Sequence, residues 1–200
     1  MIVIGSLLIV SCLCLIWWNY DQSRKAEKAA EQELAKVEDT IDDRINGTAA
    51  FDSSKDDKSS ISFIKAQIKK MPVVEIDGND YIGYLYFPTL DLRLPVMNTY
   101  NESKLNIAPC RYFGSLETDD LVIAGHNFYG GFDMLDKLKK GDKLTFTNMD
   151  GKTFEYTVGD TEMLKPLQVT DMVENDWDLS LYTCNYSGLE RFTVRCRLAD

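Results

Sequence analysis

Leu179-Ser180-Leu181-Tyr182-Thr183-Cys184, then the polar link Asn185-Tyr186-Ser187-Gly188, then Arg191-Phe192-Thr193-Val194-Arg195-Cys196-Arg197-Leu198: this stretch reads as two β-strands joined by a short loop. Side chains alternate across a strand. Phe192, Val194, Cys196 and Leu198 therefore share one face, and Arg191, Thr193, Arg195 and Arg197 share the other. Cys196 is expected in a core, and Arg195 and Arg197 on a solvated face. Cys184 differs, because it closes an apolar strand and opens a polar loop, where a thiol can meet a substrate. Arg191 begins the return strand after that loop, so the hairpin brings a permanent positive charge close to the thiol.

The same grammar extends toward the N-terminus as far as Pro72. Short runs of Val, Ile, Leu, Tyr and Phe are broken by Pro, Gly, Asn and Asp, the pattern of many short strands. Strands are predicted at residues 81–87, 92–97, 121–124, 143–147, 153–158, 179–183 and 191–198, which makes this part mainly β. Asn148-Met149-Asp150-Gly151 between two alternating runs is a hairpin signal, because Asp-Gly tolerates the positive φ that such turns need. One helix is predicted after Gly130-Gly131, with Phe132, Leu135 and Leu138 on one face and Gly141-Asp142 at its end.

Upstream, Ile2 to Trp18 is apolar apart from Ser6 and Ser11. As a helix it measures about 26 Å, close to the thickness of a bilayer core. Trp17, Trp18 and Tyr20 suit a membrane interface. A cleaved signal peptide fits less well, since no small-x-small site follows the run. A lipoprotein box at Ile9-Val10-Ser11-Cys12 fits less well too, since the apolar stretch continues past Cys12. Arg24, Lys25 and Lys28 follow the span, so the positive-inside rule alone places the rest of the chain in the cytoplasm. Leu34, Val37, Ile41 and Ile45 recur at helical spacing within residues 24–45, the mark of an amphipathic stalk that packs loosely. A linker is expected at residues 46–60, and a second short helix carries Ile61, Ile64 and Ile68. The organisation is thus an anchor at residues 1–19, a stalk and linker at 20–72, and a catalytic domain at 73–200.

Charge and cysteine usage narrow the function. A net charge of -10 without a concentrated basic face excludes a nucleic-acid binder. Of five cysteines, Cys12 and Cys14 lie in the apolar run, which leaves Cys110, Cys184 and Cys196, an odd set that cannot all pair. Acidic residues suited to calcium are plentiful but lack ordered ligand spacing, so no metal or other cofactor is expected. His126, the only histidine, follows the buried strand Leu121-Val122-Ile123-Ala124-Gly125 where the backbone leaves the sheet. Thiolate, imidazole and guanidinium form a coherent set: one attacks a carbonyl, one protonates a leaving amine, one holds an oxyanion.

At these residues the chain resembles the sortase family. Ser180-Leu181-Tyr182-Thr183-Cys184 is similar to the family's Thr-Leu-x-Thr-Cys signature, with Ser180 where Thr is usual, and Arg191 follows at a family-like distance. Residues 121–127 resemble the strand that bears the family histidine, the segment after it resembles its counterpart, and Tyr81-Ile82-Gly83-Tyr84-Leu85 with Leu94-Pro95-Val96 resembles the opening strands. The resemblance implies an eight-stranded β-barrel with short helices and an anchored, extracellular transpeptidase on a Gram-positive-type cell membrane. It implies Cys184 as nucleophile, His126 as acid and base, Arg191 as oxyanion or substrate binder, and Thr183 beside the nucleophile, with Asn127 and Tyr182 as neighbours of unassigned role. Surface proteins with a Leu-Pro-x-Thr-Gly-like sorting motif are the implied substrates, and a cell-wall precursor or pilin lysine the acceptor. The Cys-x-Tyr of Cys184 to Tyr186 resembles class B, no aromatic lid of the pilin type is seen, and the class stays open. An L,D-transpeptidase would need a Ser-His-Gly-Cys context that is missing, papain-like enzymes place cysteine before histidine, and a catalytically inactive anchored binding domain would not need all three groups.

Overall fold

In this computed structural model, residues 2–49, 71–128, 131–185 and 188–199 are described. Strands occupy Val74–Ile76 (β1), Asn79–Phe87 (β2), Leu92–Met97 (β3), Cys110–Phe113 (β4), Leu121–Ala124 (β5), Lys143–Asn148 (β6), Thr153–Leu164 (β7), Leu179–Cys184 (β8) and Arg191–Leu198 (β9). Their order is β1-β2-β3-β4-β5-β8-β9-β7-β6, and β6 pairs back onto β2. Eight strands, β2 to β9, therefore close a barrel, while β1 is a short flap on the edge of β2 ahead of β6. Closure requires Gly83, with φ +145, because a Cβ there would collide with the Thr147 carbonyl.

One cluster fills the barrel, including Leu85, Leu94, Ile123, Phe146, Leu181, Val194 and Cys196. A second lies on the outer face under three helices, Ile2–Ala49 (α1), Glu102–Leu105 (α2) and Val169–Val173 (α3), which contribute Val37, Ile41, Leu105 and Met172. The hairpin at Asn148–Gly151 forms, with Gly151 at φ +75. The segment after Gly131 holds Phe132, Leu135 and Leu138 buried as expected, yet only a 3-10 turn at Leu135–Lys137 forms where a helix was predicted. The spacing of three that buries all three side chains fits the tighter turn equally well.

α1 departs from the loose stalk. It runs on through Asn46 to Ala49, and Val37 and Ile41 are buried against the barrel, each contributing about 1.5–3 kcal/mol if fully removed from water. Tyr81 donates to Glu33 at 2.7 Å, Lys36 pairs with Asp77 at 2.8 Å, Arg93 with Glu38 at 2.9 Å and Arg44 with Asp150 at 2.6 Å. The second short helix at residues 61–68 and most of the linker lie outside the described residues, as do most side chains of the Ile2 to Trp18 run. Among the described residues no helix is long and apolar enough to cross a membrane.

Arg195 corrects the solvated reading of its strand face, being only 2% exposed. Its guanidinium donates to Glu162 at 2.7 Å, to the Ser180 hydroxyl at 2.7 Å, and to the carbonyls of Met172 at 3.2 Å and Asp171 at 2.6 Å. Arg197, by contrast, is exposed and stacks 4.4 Å from the Trp177 ring. Arg195→Ala is expected to cost about 3 kcal/mol or more, because it strands several buried acceptors. Arg195→Lys is expected to recover only part of this, since an ammonium offers three donors and no planar fork. Urea unfolding of both variants measures the two losses, and an Ala variant as stable as the parent contradicts the assignment.

Candidate active site

β8 is the strand on which the site is built. It runs parallel to β5 on one edge and antiparallel to β9 on the other. Cys184 ends β8 directly opposite Arg191, the first residue of β9. In the parallel ladder Ala124 pairs with Tyr182, and the Gly125 N–H continues it by donating to the Tyr182 carbonyl at 3.0 Å. His126 follows two residues beyond Ala124, as Cys184 follows two residues beyond Tyr182. The three residues chosen from sequence are thus brought to one end of adjacent strands. Cys184 is exposed, whereas Cys110 and Cys196 are buried. Burial pushes the Cys110 thiol up to about 11 and raises Cys196 further, so both behave as packing groups.

His126 is held by the turn that follows it. Phe132 donates its N–H to the His126 carbonyl at 2.7 Å, and a Cβ at Gly125 would strike the Phe132 ring, so glycine permits this close return. The imidazole stacks against Phe128, with ring centroids 5.0 Å apart. Partial burial lowers its pKa, opposed by the carboxylate of Glu102 on α2.

Arg191 is positioned from two sides. One Nη donates to the Pro166 carbonyl at 2.8 Å, in the connection between β7 and β8, and the guanidinium carbon lies 5.4 Å from the centre of the Tyr182 ring. Tyr182 is in turn packed edge-on by Tyr112 at 5.4 Å, and Tyr112 by Tyr100 at 5.3 Å. This gives Tyr182, assigned no role from sequence, a definite contact. Thr183 lies on the opposite face of β8, following Leu179 and Leu181, and is buried. It lines a recess of about 120 Å³ at the barrel mouth with Asn127, Cys184, Asp133 and Asp136. Burial raises the Asp133 pKa, while Lys137 opposes the shift.

Sequence reasoning missed Glu102, Tyr100, Tyr112, Pro166 and the two aspartates. Asp133 and Asp136 had a signal, the same spacing of three that marks Phe132 and Leu135. The tyrosines had none, since their meeting depends on strands remote in sequence.

The arrangement can activate a thiol, transfer a proton and stabilise an oxyanion in one place. Residues 85–199, more than half of the chain, match the family model of the sortase domain. Among solved structures, the chain is similar to sortase C1 from Streptococcus agalactiae (21% identity, TM-score 0.55, covering 86% of this chain and 98% of that one). It is similar also to a Clostridium perfringens sortase D5 transpeptidase (15%, 0.59, 86% and 99%), and to sortase C-1 from Actinomyces oris (21%, 0.55, 90% and 99%). These likenesses show the fold. No curated protein matches. With the family model spanning the barrel from β2 to β9 and the exposed thiol at its β8 end, the chain belongs to the sortase family of cysteine transpeptidases.

Proposed function

We propose that this sortase cleaves a Leu-Pro-x-Thr-Gly-like sorting motif after its Thr and joins the freed carbonyl to an amine. The observation that carries the proposal is the strand register, which pairs the exposed Cys184 with Arg191 and pairs Ala124, two residues before His126, with Tyr182, two residues before Cys184. The thiolate of Cys184 attacks the threonyl carbonyl, the C–N bond breaks, and His126 gives its proton to the leaving amine. In the second half an amine attacks the thioester, its proton passes to His126, and the C–S bond breaks to return the thiolate. Arg191 spends one N–H on Pro166 and has others to meet the oxyanion of each tetrahedral intermediate. Thr183 packs beside the nucleophile on the face away from Tyr182, and Asn127 stands next to His126. The acceptor is a cell-wall precursor or a pilin lysine, the substrates are surface proteins with such a motif, and the Ile2 to Trp18 run tethers the enzyme to the outer face of the membrane.

Cys184→Ala in the full chain is expected to abolish cleavage of a fluorogenic sorting-motif peptide and formation of a thioacyl adduct by mass spectrometry; residual cleavage would remove Cys184 from its role.

The aromatic contact with Arg191 predicts a graded series. Tyr182→Phe keeps the ring and should hold kcat within a small factor, while Tyr182→Leu should lower kcat about tenfold with KM little changed. Equal kcat in the two variants means that the ring does not position the guanidinium.

As the sole histidine, His126 gives an unobstructed NMR titration. Its midpoint is expected below the ordinary value of about 6.5. Glu102→Gln removes the charge that favours the imidazolium, so the midpoint should fall further, and the limb of the rate profile that requires protonated imidazole should move to lower pH. An upward movement contradicts the placement of Glu102.

A further inference from the structure

Two recesses share one side chain, Asp133. The smaller, about 120 Å³, opens at the barrel mouth and has Thr183, Asp133 and Asp136 in its wall next to Cys184. The larger, about 360 Å³, runs between α1 and the turn after β2; Asp133 lines it as well, with Glu31 and Asp91 farther along. No lysine or arginine lines the smaller recess among the described residues, and Lys137, which acts on Asp133, is exposed outside it. The one basic residue of the larger, Arg93, is engaged by Glu38 at 2.9 Å and lies over the Tyr86 ring at 4.7 Å. An independent sign of a ligand comes from Thr183. It is 3% exposed, its Oγ1 has no hydrogen-bond partner among the described residues, and it lines the smaller recess. A buried hydroxyl is seldom left so, and an entering N–H donor would satisfy it.

A group that donates N–H bonds and carries positive charge meets both features. Two sources could supply it, the acceptor or a basic residue of the sorting motif. The acceptor is favoured, because both aspartates lie just beyond the turn that the Phe132 N–H closes onto the His126 carbonyl. His126 handles the proton of the entering amine in the reading proposed above, on which this inference rests. We propose that Asp133 and Asp136 select a cationic acceptor, a segment with more than one ammonium or guanidinium that approaches the thioacyl carbonyl along the Asp133 side, from the groove between α1 and the barrel. One neutral amine of that segment attacks the thioester carbonyl. Its N–C bond forms as the C–S bond breaks, and the amine proton passes to His126, while the remaining cation faces the carboxylates.

The test uses the full chain with one sorting-motif peptide and three acceptors: lysinamide with two ammonium groups, glycinamide with one, and 6-aminohexanoate with one ammonium and one carboxylate. Partition of the thioacyl enzyme between aminolysis and hydrolysis gives each acceptor's relative efficiency. Lysinamide is expected to exceed 6-aminohexanoate by about tenfold or more at low salt, with the margin shrinking at about 1 M salt. The double variant Asp133→Asn with Asp136→Asn is expected to lower that ratio by about tenfold. Both acceptors are compared within one enzyme, so a general loss of activity or of folded protein cancels. A ratio unchanged by the double variant overturns the proposal. A second series holds the acceptor fixed and varies the peptide's x residue among Lys, Gln and Glu; discrimination that shifts there and not among acceptors places the cation on the sorting motif and also overturns it. Product formed by Cys184→Ala would instead strike at the underlying catalytic reading, whatever the ratios show.

Discussion

The register of three adjacent strands governs everything at this site. β8 is clamped between a parallel neighbour and an antiparallel one, and a slip of one residue on either edge would turn the side chains to opposite faces. Cys184 would then point into the barrel mouth, and Arg191 would lose its place beside it. Both faces resist such a slip. Inside, Leu179, Leu181, Ile123, Val194 and Cys196 are wholly buried and would be exchanged for Ser180, Tyr182 and Arg195. Outside, the Ser180 hydroxyl receives a hydrogen bond from Arg195 in the register pair directly opposite it. Cys184 therefore inherits its position from packing several residues away from the strand end.

Arg191 and Arg195 show how one strand face can serve two purposes. They are four residues apart and point the same way, and what covers each decides its use. α3 and the side chain of Glu162 close over Arg195, whose hydrogen bonds tie β9 to β8, to β7 and to two α3 carbonyls. That clamp holds the β7 to β8 connection, and the same connection presents the Pro166 carbonyl that restrains Arg191. Burying a guanidinium is costly unless its donors are matched, and here several acceptors match them. The charge at Arg191 remains available because no helix covers it.

Local alternation made most of the barrel legible, including β3, β5 and β9 at their observed bounds, and it identified Cys184 by its place at a strand end. β1 escaped because three residues carry too little periodicity, and β4 because Cys110-Arg111-Tyr112-Phe113 lacks the continuous apolar run that marks β5; β4 also owes part of its place to a single parallel pairing between Met97 and Cys110. The burial of Arg195 could not be read from its strand, because alternation assigns a face but not what lies over it. The docking of α1 is similar. Val37 and Ile41 declared an apolar stripe, yet the barrel surface that receives it, around Tyr81 and Met149, is assembled from strands far apart in sequence. His126 was visible as a strand-end residue, while its place at the same end of the sheet as Cys184 follows only from the parallel pairing of β5 with β8.

The two faces of β8 differ in charge at the end where the thiol sits. On the outer face, the Arg191 guanidinium lies over Tyr182 and supplies positive charge. At the barrel mouth, Thr183 shares a recess with Asp133 and Asp136, so the charge there is negative. The acidic wall is intelligible if it acts on the other reactant. During transpeptidation the oxyanion and the cationic acceptor must occupy neighbouring space at one carbonyl, and separate faces of a single strand keep the guanidinium from repelling the acceptor. The alternation that orders the core thus also sorts the charges of two substrates.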